Sequence, residues 1–292
     1  MVNAAGKLWP QVTREAQLPP KRMDEIGTML LDVIQHAHQD RKTAFDDLFA
    51  HFQKALPNSP VPLVFKGKFY QSYAWDARGG GVASTVTEEG RKLMQERLDI
   101  AEEALTKAWE MDPTSPDAAV AMIDVELGQG KGRDVMEKWY RRAMEADPDN
   151  LEAVREKMYY LTPKWHGSAE DMLAFGRELV AQKNYYAFLP GYLASAHTTL
   201  SSYATDPDEY FHDPQVWEDL QSVFLPAIAA WPQDLGYRSR YAYFACKCGQ
   251  WAEAKKQFDI LGNDVMPERF GGREAMEKYR RMAIENAAIT AP

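Results

Sequence analysis

The stretch YAWDARGGG, residues 73–81, combines residue types that can bind a ligand. Trp75 offers an aromatic face, Asp76 and Arg78 carry opposite charges, and the glycines that follow permit the positive φ of a chain reversal. Two interpretations are open: a loop that presents these side chains to a ligand, or a hinge that they anchor. We predict the hinge, with Trp75 buried and Asp76 or Arg78 fastened to neighbouring helix ends, because a charge-assisted pair holds a loop in place.

Patterns typical of catalytic and metal sites are missing from the sequence. None of the six histidines belongs to an HExxH pair or to a Cys/His cluster with ligand spacing. Cys246 and Cys248 lie two apart in a helical pattern, so their side chains diverge and no disulfide is expected between them. RGGGVAST lacks the ending of a phosphate-binding loop, and no GxSxG elbow occurs. We therefore predict a protein that is not an enzyme and has no catalytic residues, metal or cofactor.

Composition narrows the classes of partner. The chain has 292 residues, 45% of them hydrophobic, which is enough for a sizeable core. Its net charge of −9 disfavours nucleic acid as a partner. No apolar run reaches the about 18 residues of a membrane span, and the start MVNAAGKLWPQ lacks the apolar core of a signal peptide. We expect a cytoplasmic protein without direct membrane insertion, an expectation that a removed leader would change.

A repeat with a period of 35 residues organises the chain. LTKAWEMDPTSPDA (105–118) aligns with YRRAMEADPDNLEA (140–153), and each reads as a helix that ends at Asp-Pro before a second helix begins. Proline halts one helix and is tolerated in the first turn of the next. Related units occur at AFDDLFAHFQKALPNSP (44–60) and CGQWAEAKKQF (248–258). The pattern predicts a series of helical hairpins.

The predicted fold is all-α, a superhelical array of antiparallel helix pairs. A single domain spans 22–292 after an N-terminal extension, 1–21, and an inserted loop lies near 77–90. Ser168 and Asp213 are predicted N-caps of helices. The predicted pairs lie at 22–56, 61–111, 116–147, 150–183, 186–231 and 235–262, with a closing helix at 267–288.

Part of the chain resembles a known family. YAWDARGGGVASTVTEEGRKLMQERL (73–98), VELGQGKGRDVMEKWYRRAMEADPDN (125–150) and LTPKWHGSAEDMLAFGREL (161–179) together resemble a bacterial domain of unknown function related to tetratricopeptide repeats. The resemblance implies a tetratricopeptide-like α-solenoid, in which Ala143 and Ala254 would be close helix contacts. It implies no catalytic residues.

The predicted function follows from the surface of such an array. The first helix of each pair lines a concave groove, and grooves of this kind hold peptides or partner helices. We predict a non-catalytic protein–protein interaction scaffold that binds a peptide or partner protein, and leave its oligomeric state open. The alternative is an enzyme or small-ligand-binding protein with the 77–90 loop as a lid. The candidate binding residues are Lys66, Tyr70, Tyr73, Asp76, Arg78, Glu126, His166 and Arg240, of which His166 would flank an anion at a helix start.

Overall fold

The computed structural model describes residues 27, 29–32, 34 and 40–289. Within these residues every regular element is helical and no β-strand occurs, which confirms the all-α prediction. Contacts divide the chain into two compact units, Met1–Tyr160 (unit 1) and Leu161–Pro292 (unit 2). The helix-pair superhelix and the single domain 22–292 stay predictions, and the extension 1–21 lies outside the described residues.

Unit 1 contains the helices α1 to α6. The predicted range 22–56 lies partly outside the described residues, and the range 61–111 contains the two helices α2 and α3. The side chain of Asp40 caps α1 by accepting from Thr43 N at 2.9 Å, and Thr87 caps α3 in the same way. The helices are α1 (Arg41–Ala55), α2 (Val61–Arg78), α3 (Glu88–Met111), α4 (Asp117–Gln129), α5 (Arg133–Ala146) and α6 (Leu151–Tyr160), with a 3₁₀ turn at Ala83–Thr85.

Packing in unit 1 brings α2, α4 and α6 side by side. Each helix contacts the next along the chain, and α4 also contacts both α2 and α6. Gly67 allows the close approach of α2 to α3, because a Cβ atom at that position would overlap the side chain of Leu105. The core between α1 and α2 is aromatic, and the rings of Phe45 and Phe69 stack with centroids 4.0 Å apart. The part of the α2 surface that contacts neither α1 nor α3 therefore faces α4.

Unit 2 contains α7 to α12. Ser168 accepts from Asp171 N at 3.1 Å and Asp213 accepts from Gln215 N at 2.8 Å, so both predicted N-caps are confirmed. The helices are α7 (Ala169–Gln182), α8 (Gly191–Ser201), α9 (Pro214–Ala230), α10 (Leu235–Lys247), α11 (Trp251–Leu261) and α12 (Arg273–Ile289), with 3₁₀ turns at Glu209–His212 and Pro267–Phe270.

Small residues set the approach of helices in unit 2. A Cβ atom at Gly176 of α7 would lie 2.9 Å from the Cα atom of Leu193, so glycine lets α8 pack closely there. Ala254 is fully buried, as is Ala143 in unit 1. Cys246 and Cys248 are buried free thiols, which confirms that they form no disulfide with each other, and burial raises the pKa of each to about 12.

Candidate functional site

The stretch 73–81 ends α2, and its carboxylate is paired. Asp76 forms an ion pair with Arg41, the first residue of α1. The same guanidinium donates to Ser72 Oγ at 2.8 Å, one turn before Asp76. These contacts fasten the end of α2 to the start of α1, which is the attachment expected of a hinge.

The loop that follows is closed by its own groups. Gly79 adopts the left-handed φ of 73°, which favours glycine and turns the chain away from α2. Arg78 donates to the carbonyl oxygens of Gly79 at 3.2 Å and Gly81 at 3.0 Å. The guanidinium therefore satisfies carbonyl groups that the end of the helix leaves open.

Trp75 connects this stretch to a neighbouring helix. Its ring is half-buried, not fully buried as predicted, and its Nε1 donates to Asp124 Oδ2 of α4 at 2.8 Å. Gln71 donates from Nε2 to the same oxygen. The indole thus positions a carboxylate on another helix, a role that neither interpretation of the sequence contained.

That carboxylate lies in a groove of about 260 Å³ formed by α2, α4 and α6, with Leu31 at one side. We call it the acidic groove. Three helices supply its polar side chains, and one further helix lies in the sequence between α2 and α4 and another between α4 and α6. The polar residues of the acidic groove are Lys68, Gln71, Asp124, Glu152 and Glu156.

The charge balance of the acidic groove centres on Asp124. Burial raises the pKa of Asp124, while the hydrogen bonds from Gln71 and Trp75 lower it. Burial also raises the pKa of Glu156, which accepts from Arg155 Nη2 at 2.9 Å. Asp124 forms no ion pair with any residue that the structure describes. A cation that entered the groove would meet a partly desolvated carboxylate whose described hydrogen-bond donors, Gln71 and Trp75, are neutral.

The predicted binding residues of α2 lie on other faces of that helix. Tyr70 and Tyr73 pack against the aromatic core next to α1, and the guanidinium carbon of Arg97 lies 3.3 Å from the centroid of the Tyr73 ring. Lys66 is half-buried and acts electrostatically on Glu103 of α3. None of these residues, nor Asp76 or Arg78, lines the acidic groove.

Glu126 was predicted to be presented to a ligand but is buried, with 1% of its surface exposed. Neither of its carboxylate oxygens accepts a hydrogen bond from a described residue. Burial, opposed by Lys131 and reinforced by Glu102, raises its pKa to about 7. The cause is its position on α4, which turns Glu126 into the helix packing while Asp124 faces the groove.

Sequence reasoning missed Gln71 and Asp124, although a signal was present. Asp124 interrupts the apolar run AAVAMIDVEL, and a carboxylate in such a run requires either a partner or water. Lys68, Gln71 and Trp75 recur at the spacing of one helix face. Weighing that face against the one with Lys66, Tyr70 and Tyr73 needs knowledge of what packs on α2.

The two remaining predicted residues belong to unit 2. His166 is exposed, two residues before the cap of α7. Arg240 on α10 is half-buried, its guanidinium carbon lies 5.6 Å from the centroid of the Phe188 ring, and burial lowers its pKa. Neither lines the cavity of unit 2 that is described next.

Unit 2 holds a polar network that the sequence did not indicate. Arg177 donates from Nε to Asp219 Oδ1 at 3.0 Å and from Nη2 to Oδ2 at 2.8 Å. Fully buried His197 lies with Nε2 3.1 Å from Asp219 Oδ2 and Nδ1 2.9 Å from the hydroxyl of Tyr210. These residues come from α7, α8, a 3₁₀ turn and α9, so no local sequence motif predicts the network.

Donor and acceptor chemistry assigns the protons of this network. Burial lowers the pKa of His197, which keeps the ring neutral near pH 7, and burial raises the pKa of Tyr210 to about 12. An ionised carboxylate only accepts, so His197 Nε2 carries the proton and donates to Asp219. His197 Nδ1 then accepts from the Tyr210 hydroxyl. The network borders a cavity of about 550 Å³, the histidine pocket, lined among others by Leu173, Arg177, His197, Tyr210, Asp213 and Val216.

The described part of the chain has neither a metal-binding cluster nor a membrane-spanning helix. No group of three or more His, Cys, Asp or Glu side chains there could hold a metal ion. None of the helices in that part is long and apolar enough to cross a bilayer.

Comparison with known families gives one match. Residues 125–182, from the second half of α4 to the end of α7, match the model of a family described as a domain of unknown function, DUF4034. The matched range overlaps two of the stretches on which the family resemblance rests. No curated protein matches the chain.

Proposed function

We propose that this protein is a non-catalytic interaction scaffold whose acidic groove binds an extended segment of a partner protein through a Lys or Arg side chain. The observation that carries the proposal is Asp124, a partly desolvated carboxylate whose described partners, Gln71 and Trp75, are both neutral. A cationic side chain supplied by a partner would offset the desolvation of that carboxylate, which is how charge complementarity gives specificity at interfaces.

The shape of the acidic groove favours a side chain over a free small molecule. Pockets that hold drug-sized ligands have volumes of about 300–1,000 Å³, and the groove, at about 260 Å³, falls below that range. It is also formed by the alternate helices α2, α4 and α6, which in the predicted array would be the first helices of successive hairpins, and helical repeats bind extended segments along such helices. The tetratricopeptide-like superhelix, a bacterial source and a cytoplasmic location belong to this same proposal and rest on the sequence.

The alternative, an enzyme or small-ligand-binding protein with the 77–90 loop as lid, has less support. Arg78 bonds to carbonyl groups of its own loop. Neither the acidic groove nor the histidine pocket is lined by a residue of 77–90. A lid would require at least one such contact or an exposed charged group that faces a cavity.

Phage display of random peptides, with the whole chain as bait, tests the proposal. We expect selected peptides to be enriched in Lys or Arg at one position. Asp124→Asn should abolish that enrichment, because the amide oxygen still accepts from Trp75 while the charge is gone. The matched control is Glu103→Gln, an exposed carboxylate of α3 that should leave the selection unchanged. Selection without basic enrichment, or enrichment that survives Asp124→Asn, would contradict the proposal.

A further inference from the structure

We propose a second binding site, the histidine pocket of unit 2, whose ligand is a small primary amine with an apolar body. The pocket lies within unit 2 and shares no residue with the acidic groove of unit 1. The inference is therefore independent of the proposed scaffold function.

The size and walls of the histidine pocket suit an apolar body. Its volume of about 550 Å³ lies within the range of about 300–1,000 Å³ typical of small-ligand sites. Leu173, Leu200 and Val216 supply aliphatic surface, and Ala169 and Ala204 leave room between them. Burial of an aromatic or alkyl group against these walls would provide the main part of the binding free energy.

His197 and Tyr210 form the polar part of the lining, which we call the polar floor, and it offers a hydrogen-bond acceptor to the ligand. The single proton of the Tyr210 hydroxyl is donated to His197 Nδ1, which is locked in that role because Nε2 donates to Asp219. The phenolic oxygen retains lone-pair capacity, which an N–H group of a ligand can use. The floor therefore favours a ligand that donates over one that only accepts.

The charges around the pocket favour a cation. The positive charge of Arg177 is compensated by the carboxylate of Asp219, to which it donates two hydrogen bonds, and His197 is neutral. The remaining charged side chains of the lining are all carboxylates, namely Asp206, Glu209 and Asp213. Burial raises the pKa of the Tyr210 hydroxyl, and the nearby carboxylate of Asp213 raises it further. An ammonium group near these carboxylates would be attracted and a carboxylate repelled.

The test uses the full chain and three probes of nearly equal shape. Phenethylamine, phenethyl alcohol and hydrocinnamate are titrated separately while the backbone amides are followed by NMR. We expect the amine to shift amides of α8 and of the Glu209–His212 turn. Its affinity should exceed that of hydrocinnamate by about tenfold, with the alcohol between them.

Variants distinguish the effect of the lining carboxylates on binding from the effect of the cavity volume. Asp213→Asn should weaken amine binding by about threefold and leave the alcohol unchanged, since Asn still caps α9. Ala204→Trp should abolish binding of both by filling the cavity that Ala204 lines. The control Glu178→Gln, an exposed carboxylate of α7 outside the lining, should change nothing. Thermal melts confirm that each variant is folded.

Several results would overturn the inference. These are the absence of shifts in unit 2 with phenethylamine, hydrocinnamate binding as tightly as the amine, or an Asp213→Asn variant that binds the amine like the unaltered chain. Shifts confined to amides of the acidic groove would also overturn it, while supporting a cation site in unit 1. Failure of the peptide selection described above would leave this result unaffected.

Discussion

Asp124 of unit 1 and Asp219 of unit 2 are helical aspartates with opposite surroundings. Asp219 receives two hydrogen bonds from Arg177 and one from His197, and 6% of its surface is exposed. Asp124 receives hydrogen bonds from the neutral donors Gln71 and Trp75, and it opens onto a groove.

The difference indicates what each carboxylate does. A buried charge is tolerated when hydrogen bonds and an opposite charge surround it, and Asp219 has both within its own unit. Such a group holds α7, α8 and α9 together. Asp124 has the hydrogen bonds but no ion pair with a residue that the structure describes, so a cation from a partner could add one. The following predictions test this contrast, from the largest expected effect to the smallest.

Replacing Asp219 by Ala should give the largest loss of stability. The change leaves His197 without its acceptor and Arg177 without its carboxylate, which we expect to lower the free energy of unfolding by about 3 kcal/mol. Urea denaturation measures it. The control Asp259→Ala removes an exposed aspartate paired with Lys255 and should cost at most about 0.5 kcal/mol. Equal losses in the two variants would remove the structural role assigned to Asp219.

Glu126→Gln should change how stability depends on pH. In the folded protein the pKa of Glu126 is about 7, above its ordinary value of 4.5. The folded state thus holds a proton that the unfolded chain has lost, so stability falls as pH rises from about 4.5 to about 7 and then levels off. Gln removes this dependence, and above pH 7 it should stabilise the protein by up to about 3 kcal/mol.

Urea denaturation at a series of pH values measures the effect of Glu126→Gln. The matched control is Glu103→Gln, which replaces an exposed carboxylate of unit 1 and should keep the slope of the unaltered chain. If Glu126→Gln kept that slope too, the carboxyl group of Glu126 would titrate as it does in the unfolded chain, and its burial on α4 would not raise its pKa.

Trp75→Phe should cost about 1 kcal/mol of unfolding free energy, because Asp124 loses a hydrogen bond while most of the ring volume is kept. A double-mutant cycle with Asp124→Ala isolates the interaction. We expect a coupling of about 1 kcal/mol between the two positions. A coupling near zero would mean that the indole fills space without positioning the carboxylate.

Asp76→Asn should have the smallest effect, about 0.5 kcal/mol or less, because Asp76 is exposed and its pair with Arg41 is screened by solvent. The loss should disappear when the salt concentration is raised to about 1 M. Thermal unfolding at low and high salt measures it. A loss that exceeds that of Trp75→Phe would make the ion pair, and not the indole, the main anchor of the 73–81 stretch.

Local chemistry explains which parts of the fold could be predicted. The caps at Ser168 and Asp213 and the glycine turn after α2 depend on side chains next to the backbone groups they satisfy. These signals were readable because each involves residues within a few positions of one another. The polar network of unit 2 was not readable, since Arg177, His197 and Asp219 are spread over three helices.

The choice of face on α2 shows why the candidate site was harder to predict from the sequence than the helix caps. α2 has apolar residues around most of its circumference, and α1, α3 and α4 all contact it. Periodicity places Lys66, Tyr70 and Tyr73 on one side and Lys68, Gln71 and Trp75 on another. Both sides carry aromatic and polar residues, so the sequence gives no reason to prefer one as the groove.

The sequence by itself determined that the described part of the chain forms helices, where some of them begin, as at Ser168 and Asp213, and that a glycine turn follows α2. It also determined that Asp124 and Glu126 lie about 200° apart around α4, since each residue turns an α-helix by about 100°. Tertiary structure alone decided which of the two is buried and which faces the groove. Helical periodicity fixes the angle between two side chains, but the neighbouring helices set the direction in which either one points.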